Sequence, residues 1–242
     1  MNPPVFGLFG KLPWEGDFIQ RGLPGRFVRP WDAWLSQGLI ESRDALGEAW
    51  ADAYLLSPPW RFVIEPGIID ESGWSGVLVS SIDRVRRYFP LTLALERPAD
   101  AAGSSQPLDL EPLLGRLEAA ALGMIATQQP IETMLAQTSR QVEADLAAIA
   151  EARPQSFVFR DGSQADTQLM VGTAGSISIL PALAAKRTAT EGCSLWWHDR
   201  WNQHAPVALR CQGLPSPATF AGFLDGDWPR HGWTRSSGEL QP

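Results

Sequence analysis

The sequence predicts an α/β protein of the α+β type, with an antiparallel β-sheet and flanking helices. Two apolar runs, Gly76–Ile82 and Phe89–Leu95, are joined by a short polar connector, which is typical of a β-hairpin. A third run, Trp60–Ile64, precedes them closely, and short connections between successive strands favour antiparallel pairing. Two amphipathic helical patterns then follow, over residues 110–125 and 131–149.

The chain opens with two short strands and a loop. Val5–Phe9 is a buried-looking strand, and Asp17–Gln20 starts a second one. Between them, residues 10–16 contain two glycines and a proline, which predicts a turn-rich loop.

A helix with an aromatic stripe comes next. Pro30 is acceptable in a first helical turn, so Arg29 and Pro30 are predicted to open it. The stripe has helical spacing and consists of Trp31, Trp34, Leu35 and Leu39. Gly47 is predicted to break the helix, and Glu48–Leu56 to continue as a second piece before two prolines stop it.

The three central strands differ in their patterns. Trp60–Ile64 alternates large apolar residues with Arg61 and Val63, whereas Gly76–Ile82 is apolar on both faces and suits a central strand. Phe89–Leu95 alternates apolar with small or polar residues, which predicts one buried face. We therefore expect Trp60–Glu96 to form a three-stranded antiparallel meander that carries the Trp31 helix on one face.

Beyond a predicted linker at Pro98–Pro107, the two helices complete the element order β-β-α-β-β-β-α-α. This order resembles that of a longin-like or profilin-like sandwich, and we assign it to residues 1–152. The sequence patterns that predict helices and strands are weaker in residues 153–242. We interpret this part as a smaller α/β lobe with an irregular tail from Asp225. Its predicted strands are Ser156–Phe159, Gln168–Val171, Ser194–Trp197 and Val207–Cys211, and its predicted helical turns are Leu180–Ala185 and Pro217–Leu224.

Composition excludes several classes of function. The formal charge of −7 and pI of about 5.0 disfavour binding to nucleic acids and to acidic lipid surfaces. No apolar run approaches the ~20 residues of a transmembrane helix, and the start does not resemble a signal peptide. We therefore expect a cytoplasmic protein in which Cys193 and Cys211 are reduced and buried. Most of the eleven tryptophans are expected to anchor the core.

The sequence contains no complete motif for catalysis or for binding a metal or a cofactor. The Gly10-Lys11 pair lacks the first glycine and the hydroxyl residue of a phosphate-binding loop. His198, His204 and His231 have no recognised metal-ligand spacing. No triad or dyad is apparent, so we expect no enzyme activity, no metal and no cofactor, and no turnover of ester, peptide or nucleoside triphosphate substrates.

The connector between the hairpin strands is the strongest candidate site. It carries Asp83, Arg84, Arg86 and Arg87 beside Tyr88 in an otherwise acidic chain. Either the arginines are solvated or neutralised by Asp83 and nearby acids, or they contact a partner. We expect Asp17 and Asp83 to pair with Lys11 or one of these arginines, or to cap turns. The double variant Arg84→Ala/Arg87→Ala would separate these interpretations, because contact arginines would weaken binding by about 2–4 kcal/mol at nearly unchanged melting temperature.

Several motifs resemble a known family. One is Gly7-x-Phe9-Gly10-Lys11-Leu12-Pro13-x-x-Gly16-Asp17-Phe18. A second set is Phe27-Val28, Trp31-Asp32-x-Trp34-Leu35 and Tyr54-Leu55-x-Ser57-Pro58-x-Trp60-Arg61-Phe62. A third is Gly76-Val77-Leu78 with Ser81-x-Asp83-Arg84-Val85-x-Arg87-Tyr88-Phe89-Pro90-Leu91. Together they resemble the TagF/ImpM family of bacterial type VI secretion accessory proteins, densely over residues 6–95. Ser80 stands where the family pattern has proline.

The resemblance implies a cytoplasmic, non-enzymatic, post-translational repressor of type VI secretion. It implies action in connection with a forkhead-associated scaffold protein of the apparatus, in parallel with threonine phosphorylation. No catalytic residues follow from it, and its oligomeric state stays open. The protein-binding candidates are Lys11, Trp14, Asp17, Asp83, Arg84, Arg87 and Tyr88, with Trp31 and Asp32 as further motif positions. The alternative is a small-molecule or nucleotide sensor, or a cryptic hydrolase, that uses the loop Gly10–Asp17 beside Asp83–Arg87.

Overall fold

The fold is an eight-stranded antiparallel sheet with helices on both faces, an α+β architecture as predicted. The computed structural model describes residues 5–97, 110–151, 167–171 and 192–233. The strands are β1 (Phe6–Gly10), β2 (Ile19–Arg21), β3 (Trp60–Ile64), β4 (Gly73–Val79), β5 (Leu91–Arg97), β6 (Thr167–Val171), β7 (Cys193–His198) and β8 (Val207–Gln212). The α-helices are α1 (Gly25–Leu46), α2 (Trp50–Leu56), α3 (Glu111–Ala126), α4 (Ile131–Glu151) and α5 (Gly222–Asp225), and 3₁₀ turns occupy Gly47–Ala49, Pro217–Thr219 and Pro229–His231.

The sheet order is β2-β1-β5-β4-β3-β7-β8-β6. The predicted meander is confirmed, because β4 pairs with β3 on one side and with β5 on the other. Strand β3 has the predicted bounds, and the order of elements through α4 also agrees. The central position of β4 explains why its sequence is apolar on both faces.

Each face of the sheet carries its own helical layer and its own core. On one face, α1 places Trp31 and Trp34 against Phe62 of β3 and Trp196 of β7. On the other face, α3 covers the sheet with Leu113, Leu114, Leu117, Ala121 and Met124. Strand β5 is therefore buried on both faces from Leu91 to Leu95, and the prediction of a single buried face was wrong.

Helix α1 begins at Gly25, four residues before the predicted start at Arg29. Phe27 and Val28 continue the stripe toward the N-terminus, since they stand four and three residues before Trp31 on the same buried face. Pro30 instead lies inside the helix, in its second turn. Gly47 ends the helix with φ 55°, as predicted from the residue type.

The hairpin strands are shifted from their predicted bounds, β4 toward the N-terminus and β5 toward the C-terminus, which leaves residues 80–90 as the connector. Within it, an isolated bridge joins Ile82 and Tyr88. Pro90 explains the later start of β5, because proline has no N–H to donate to the ladder.

The C-terminal third joins the same sheet. Strand β7 pairs with β3, from Arg61 opposite Trp197 to Ile64 opposite Ser194, so the sheet is continuous across the predicted boundary at residue 152. The division into 1–152 and 153–242 stays a prediction. The predicted strands at 168–171, 194–197 and 207–211 correspond to β6, β7 and β8. The predicted linker at Pro98–Pro107, strand at Ser156–Phe159 and helical turn at Leu180–Ala185 lie outside the described residues.

Candidate functional site

The loop after β1 and the connector between β4 and β5 meet at one end of the sheet. They do so because β1 pairs antiparallel with β5, which places Phe9 opposite Thr92. The close approach requires glycine at position 10, where φ is 137° and a Cβ atom would lie 2.1 Å from the carbonyl oxygen of Pro90. Residues 10–18 and 80–90 are therefore neighbours in space, as the candidate site needs.

Asp83 is the centre of this arrangement. Its Oδ2 accepts a bond from Lys11 Nζ at 2.9 Å and another from Arg87 Nε at 2.6 Å. Its Oδ1 accepts the backbone N–H groups of Val85 at 3.0 Å and Arg87 at 2.8 Å. Lys11 and Asp83 are only 4% and 1% exposed, so this ion pair lies inside the protein. The predicted pairing of Asp83 with Lys11 or a connector arginine is thus seen with both Lys11 and Arg87.

These bonds set the acidity of the carboxyl group. Burial alone would raise the pKa of Asp83, because it disfavours the charged form. The bonds from the Arg87 backbone, from Lys11 and from the Arg87 side chain outweigh burial, and they hold the pKa well below its ordinary value. Asp83 is therefore a carboxylate at neutral pH and binds its two cationic partners.

The middle of the connector forms a tight turn. The N–H of Arg86 bonds the carbonyl of Asp83 at 2.9 Å, and the N–H of Asp83 bonds the carbonyl of Arg87 at 3.1 Å. Arg86 has φ 62°, in the left-handed region. This is the pattern of a hairpin loop in which a type I turn is followed by a left-handed residue. We name Arg84, Val85 and Arg86 the connector tip.

Further bonds fasten the connector to the loop and to α2. Ser81 Oγ donates to the carbonyl of Lys11 at 2.8 Å, and the N–H of Arg84 to that of Glu15 at 2.9 Å. Arg87 Nη2 donates to the carbonyl of Gly16 at 2.7 Å. On the other side, Tyr54 Oη of α2 donates to the carbonyl of Ser81 at 2.9 Å. We call this set of bonds, with the Lys11–Asp83 pair, the clamp.

The remaining predicted site residues occupy different environments. Trp14 is half-buried and packs against the α3 core, whereas Tyr88 packs edge-on against Trp50 and Tyr54. Asp17 is exposed, and its Oδ1 accepts the N–H of Phe18 at 2.8 Å, which is the turn-capping role considered for it. Lys11, Asp83, Arg84 and Arg87 are the four that the fold brings together.

Trp31 and Asp32 lie away from this arrangement, on α1. Trp31 is fully buried, and its Nε1 donates to Thr92 Oγ1 at 2.9 Å, so it holds α1 on the sheet. Asp32 is half-buried, within 3.5 Å of Ser36 Oγ one turn further along the helix.

Sequence reasoning did not single out the two exposed apolar side chains of the site. Val85 is 62% exposed at the connector tip, and Phe18 is 46% exposed on the loop. One face of Phe18 packs on Phe9 and Phe89, and Lys11 Nζ lies 4.8 Å from the centre of its ring. Single apolar residues in polar loops carry no periodic signal, so only the coordinates distinguish them from core residues.

The geometry offers little support for the alternative, a small-molecule site between the loop and the connector. A small-molecule site needs polar groups that converge on free space. Here Lys11 and Asp83 bond each other, and Gly16 and Glu15 offer carbonyls that Arg87 and Arg84 already occupy. Within the described ranges, no group of three or more His, Cys, Asp or Glu side chains could hold a metal ion. No helix of those ranges has the length and apolarity to cross a membrane.

The depressed pKa of Asp83 predicts a specific acid dependence of stability. Its folded pKa is below the unfolded value of about 3.9, so its stabilising contribution is complete above that value and is lost as the pH falls below it. Asp83→Asn should therefore lower the urea midpoint at pH 7, and the difference from the unsubstituted protein should shrink between about pH 5 and pH 2. Exposed Asp17→Asn is the control and should show no such difference. A loss of stability in Asp83→Asn that does not change with pH would contradict the depressed pKa of Asp83.

The loop and the connector lie in a part of the chain that is similar to known proteins. The family described as TagF N-terminal domain, type VI secretion system-associated, matches residues 7–142, a range that contains the loop, the connector and helices α1 to α3. The crystal structure of PA0076 from Pseudomonas aeruginosa PAO1 is similar over 98% of this chain and 97% of that chain, with 34% sequence identity and a TM-score of 0.63. Among curated proteins the comparison found no match.

Proposed function

Since this chain belongs to the type VI secretion-associated TagF family, we propose that it is a non-enzymatic, post-translational repressor of bacterial type VI secretion. It acts in the cytoplasm by binding a forkhead-associated scaffold protein of the apparatus. The observation that carries the proposal is the family match over residues 7–142, together with the similarity to PA0076 along nearly the whole of both chains.

The arrangement of the clamp supports a binding role over a chemical one. Asp83, the buried carboxylate that a hydrolase at this place could use, holds the loop and the connector together through its bond to Lys11. The connector tip and Phe18 face solvent at this place, together with Asp17 and Arg87. Cationic and apolar side chains on a fixed backbone suit recognition of another protein. Assays of ester, peptide and nucleoside triphosphate turnover on the purified chain test the non-enzymatic part of the proposal.

Deletion of the gene in its native bacterium tests repression. We expect release of the secreted substrates of the apparatus to rise while transcript levels of the secretion genes stay constant, because the proposed control acts after translation. Resupply of the gene should restore repression. Affinity capture of the tagged chain from the same cells, with bound proteins identified by mass, should recover the forkhead-associated scaffold. Unchanged secretion in the deletion strain, or capture without the scaffold, would contradict the proposal.

A further inference from the structure

The backbone of Arg86 is unusual for its residue type. Among the described residues only Arg86 and Asn202 have positive φ without being glycine, and asparagine tolerates this region far better than arginine. Glycine is the usual residue at the left-handed position of such a hairpin loop. No hydrogen bond or ion pair of the Arg86 side chain to another described residue offsets the strain. The fold alone gives no reason for arginine here, and strained residues of this kind concentrate at functional sites.

Arg84 is a second cation outside any ion pair of the described residues. Its guanidinium group lies beside Gly16, with Nη2 3.3 Å from the place where a Cβ atom of that glycine would be. The nearest acids in sequence on the facing loop are Glu15 and Asp17, and neither forms an ion pair with it in the described part of the chain. Arg87, by contrast, is bound to Asp83 and Gly16. The connector therefore contains one structural arginine and two that are free to bind.

The two free arginines flank an apolar residue. Val85 lies between them and is 62% exposed, and the loop on the other side of the clamp exposes 46% of Phe18. A ligand that only neutralised the arginines would leave these apolar side chains in water. The chemistry of the surface therefore calls for carboxylates next to an apolar side chain.

The surface is already rigid before anything binds. Five hydrogen bonds of the clamp join the loop, the connector and α2, and the backbone of the tip is fixed by two more. Binding to a fixed backbone loses less conformational entropy than binding that must first order a loop. The backbone of the tip is thus held in one arrangement, from which its side chains extend into solvent.

We propose that the connector tip and Phe18 form the docking surface for the protein partner, and that the segment which docks there carries carboxylates beside an apolar side chain. Charge complementarity favours this occupant, because two unpaired arginines stand out in a chain of net charge −7. The same net charge disfavours an acidic membrane or a nucleic acid. The inference rests on the proposed function for the identity of the partner.

The test measures affinity and stability together, with purified forkhead-associated scaffold from the same bacterium as the probe. Arg86→Gly should melt within about 2 °C of the unsubstituted chain or above it, because glycine relieves the backbone strain. It should nevertheless bind about 10-fold more weakly or worse, and Arg84→Glu/Arg86→Glu about 100-fold or worse, with affinity that falls as salt rises. Arg29→Glu reverses the charge of one exposed side chain on α1, near the far end of the sheet, and should bind normally.

The outcomes separate the two proposals. If the unsubstituted chain does not bind the scaffold, the proposed function is wrong and the docking inference falls with it. If it binds and the tip variants bind equally well, the docking inference alone is wrong. A marked fall in the melting temperature of Arg86→Gly would overturn the argument from strain. Loss of binding after phosphatase treatment of the scaffold would show a phosphate ester in place of the carboxylates and would also overturn the inference.

Discussion

Arg61→Leu should lower the free energy of unfolding by about 3–5 kcal/mol, the usual result of removing one partner from a buried charge cluster. Arg61 is largely buried on β3, and its guanidinium bonds three carboxylates. Nε contacts Glu118 at 2.9 Å, and Nη1 contacts Glu111 and Asp199, each at 3.0 Å. These acids come from α3 and from the residue after β7. Without the arginine, three acids would face each other near the core.

The Arg61 deficit should depend on pH. Burial raises the pKa of Glu118, and Arg61 opposes that rise. Removal of Arg61 raises the pKa further, and a group with a raised folded pKa loses stability as the pH rises through that value. The difference from the unsubstituted protein should thus be largest above neutral pH and smaller at pH 5, as measured by urea unfolding.

The matched control for Arg61 is Arg116→Leu. Arg116 of α3 also bonds a carboxylate, Asp145 of α4, but its side chain is 53% exposed. Its loss should lower the free energy of unfolding far less than the loss of Arg61 does, as expected for an exposed ion pair. Equal effects of the two substitutions would show that burial does not govern the Arg61 cluster.

Trp31→Ala should destabilise the protein by a similar amount, about 3–5 kcal/mol, because it empties the centre of the aromatic core. The ring is fully buried and contacts Phe27, Trp34, Phe62 and Trp196. The substitution also leaves Thr92 Oγ1 without its donor. For a chain of this length the melting temperature should fall by about 10 °C.

Trp31→Phe separates packing from hydrogen bonding. It keeps an aromatic ring and removes the N–H, so the cost should be about 1–2 kcal/mol. Neither variant should change scaffold affinity at temperatures where the protein is folded, because the buried ring cannot touch a partner. A selective loss of binding by folded Trp31→Phe would contradict this position in the core.

The sequence predicted those elements whose pattern is periodic and whose partners are close along the chain. Trp60–Ile64 was located to the residue, because large apolar side chains alternate there. The start of α1 was predicted too late. Proline is favoured in first helical turns, so Pro30 was placed in the first turn, although the helix already begins at Gly25. No local pattern in β3 or β7 shows that these strands pair, because the partners come from distant parts of the chain.

The candidate site likewise has features that the sequence predicted and features that only the fold determines. Residue types predicted that Asp83 would pair with Lys11 or a connector arginine, but only the fold selects Lys11 and Arg87 and leaves Arg84 unpaired. The left-handed backbone of Arg86 could not be predicted from the sequence, because glycine or asparagine normally occupies that conformation.

The pairing of β7 with β3 also has a consequence during synthesis on the ribosome. Ile64 and its partner Ser194 are separated by about 130 positions. At the usual ~5–20 residues per second of translation, the edge of β3 waits on the order of ten seconds for its neighbour. Trp196, which completes the aromatic core, arrives at the same late moment. The nascent chain thus exposes an unpaired, apolar strand edge of the kind that chaperones protect from aggregation.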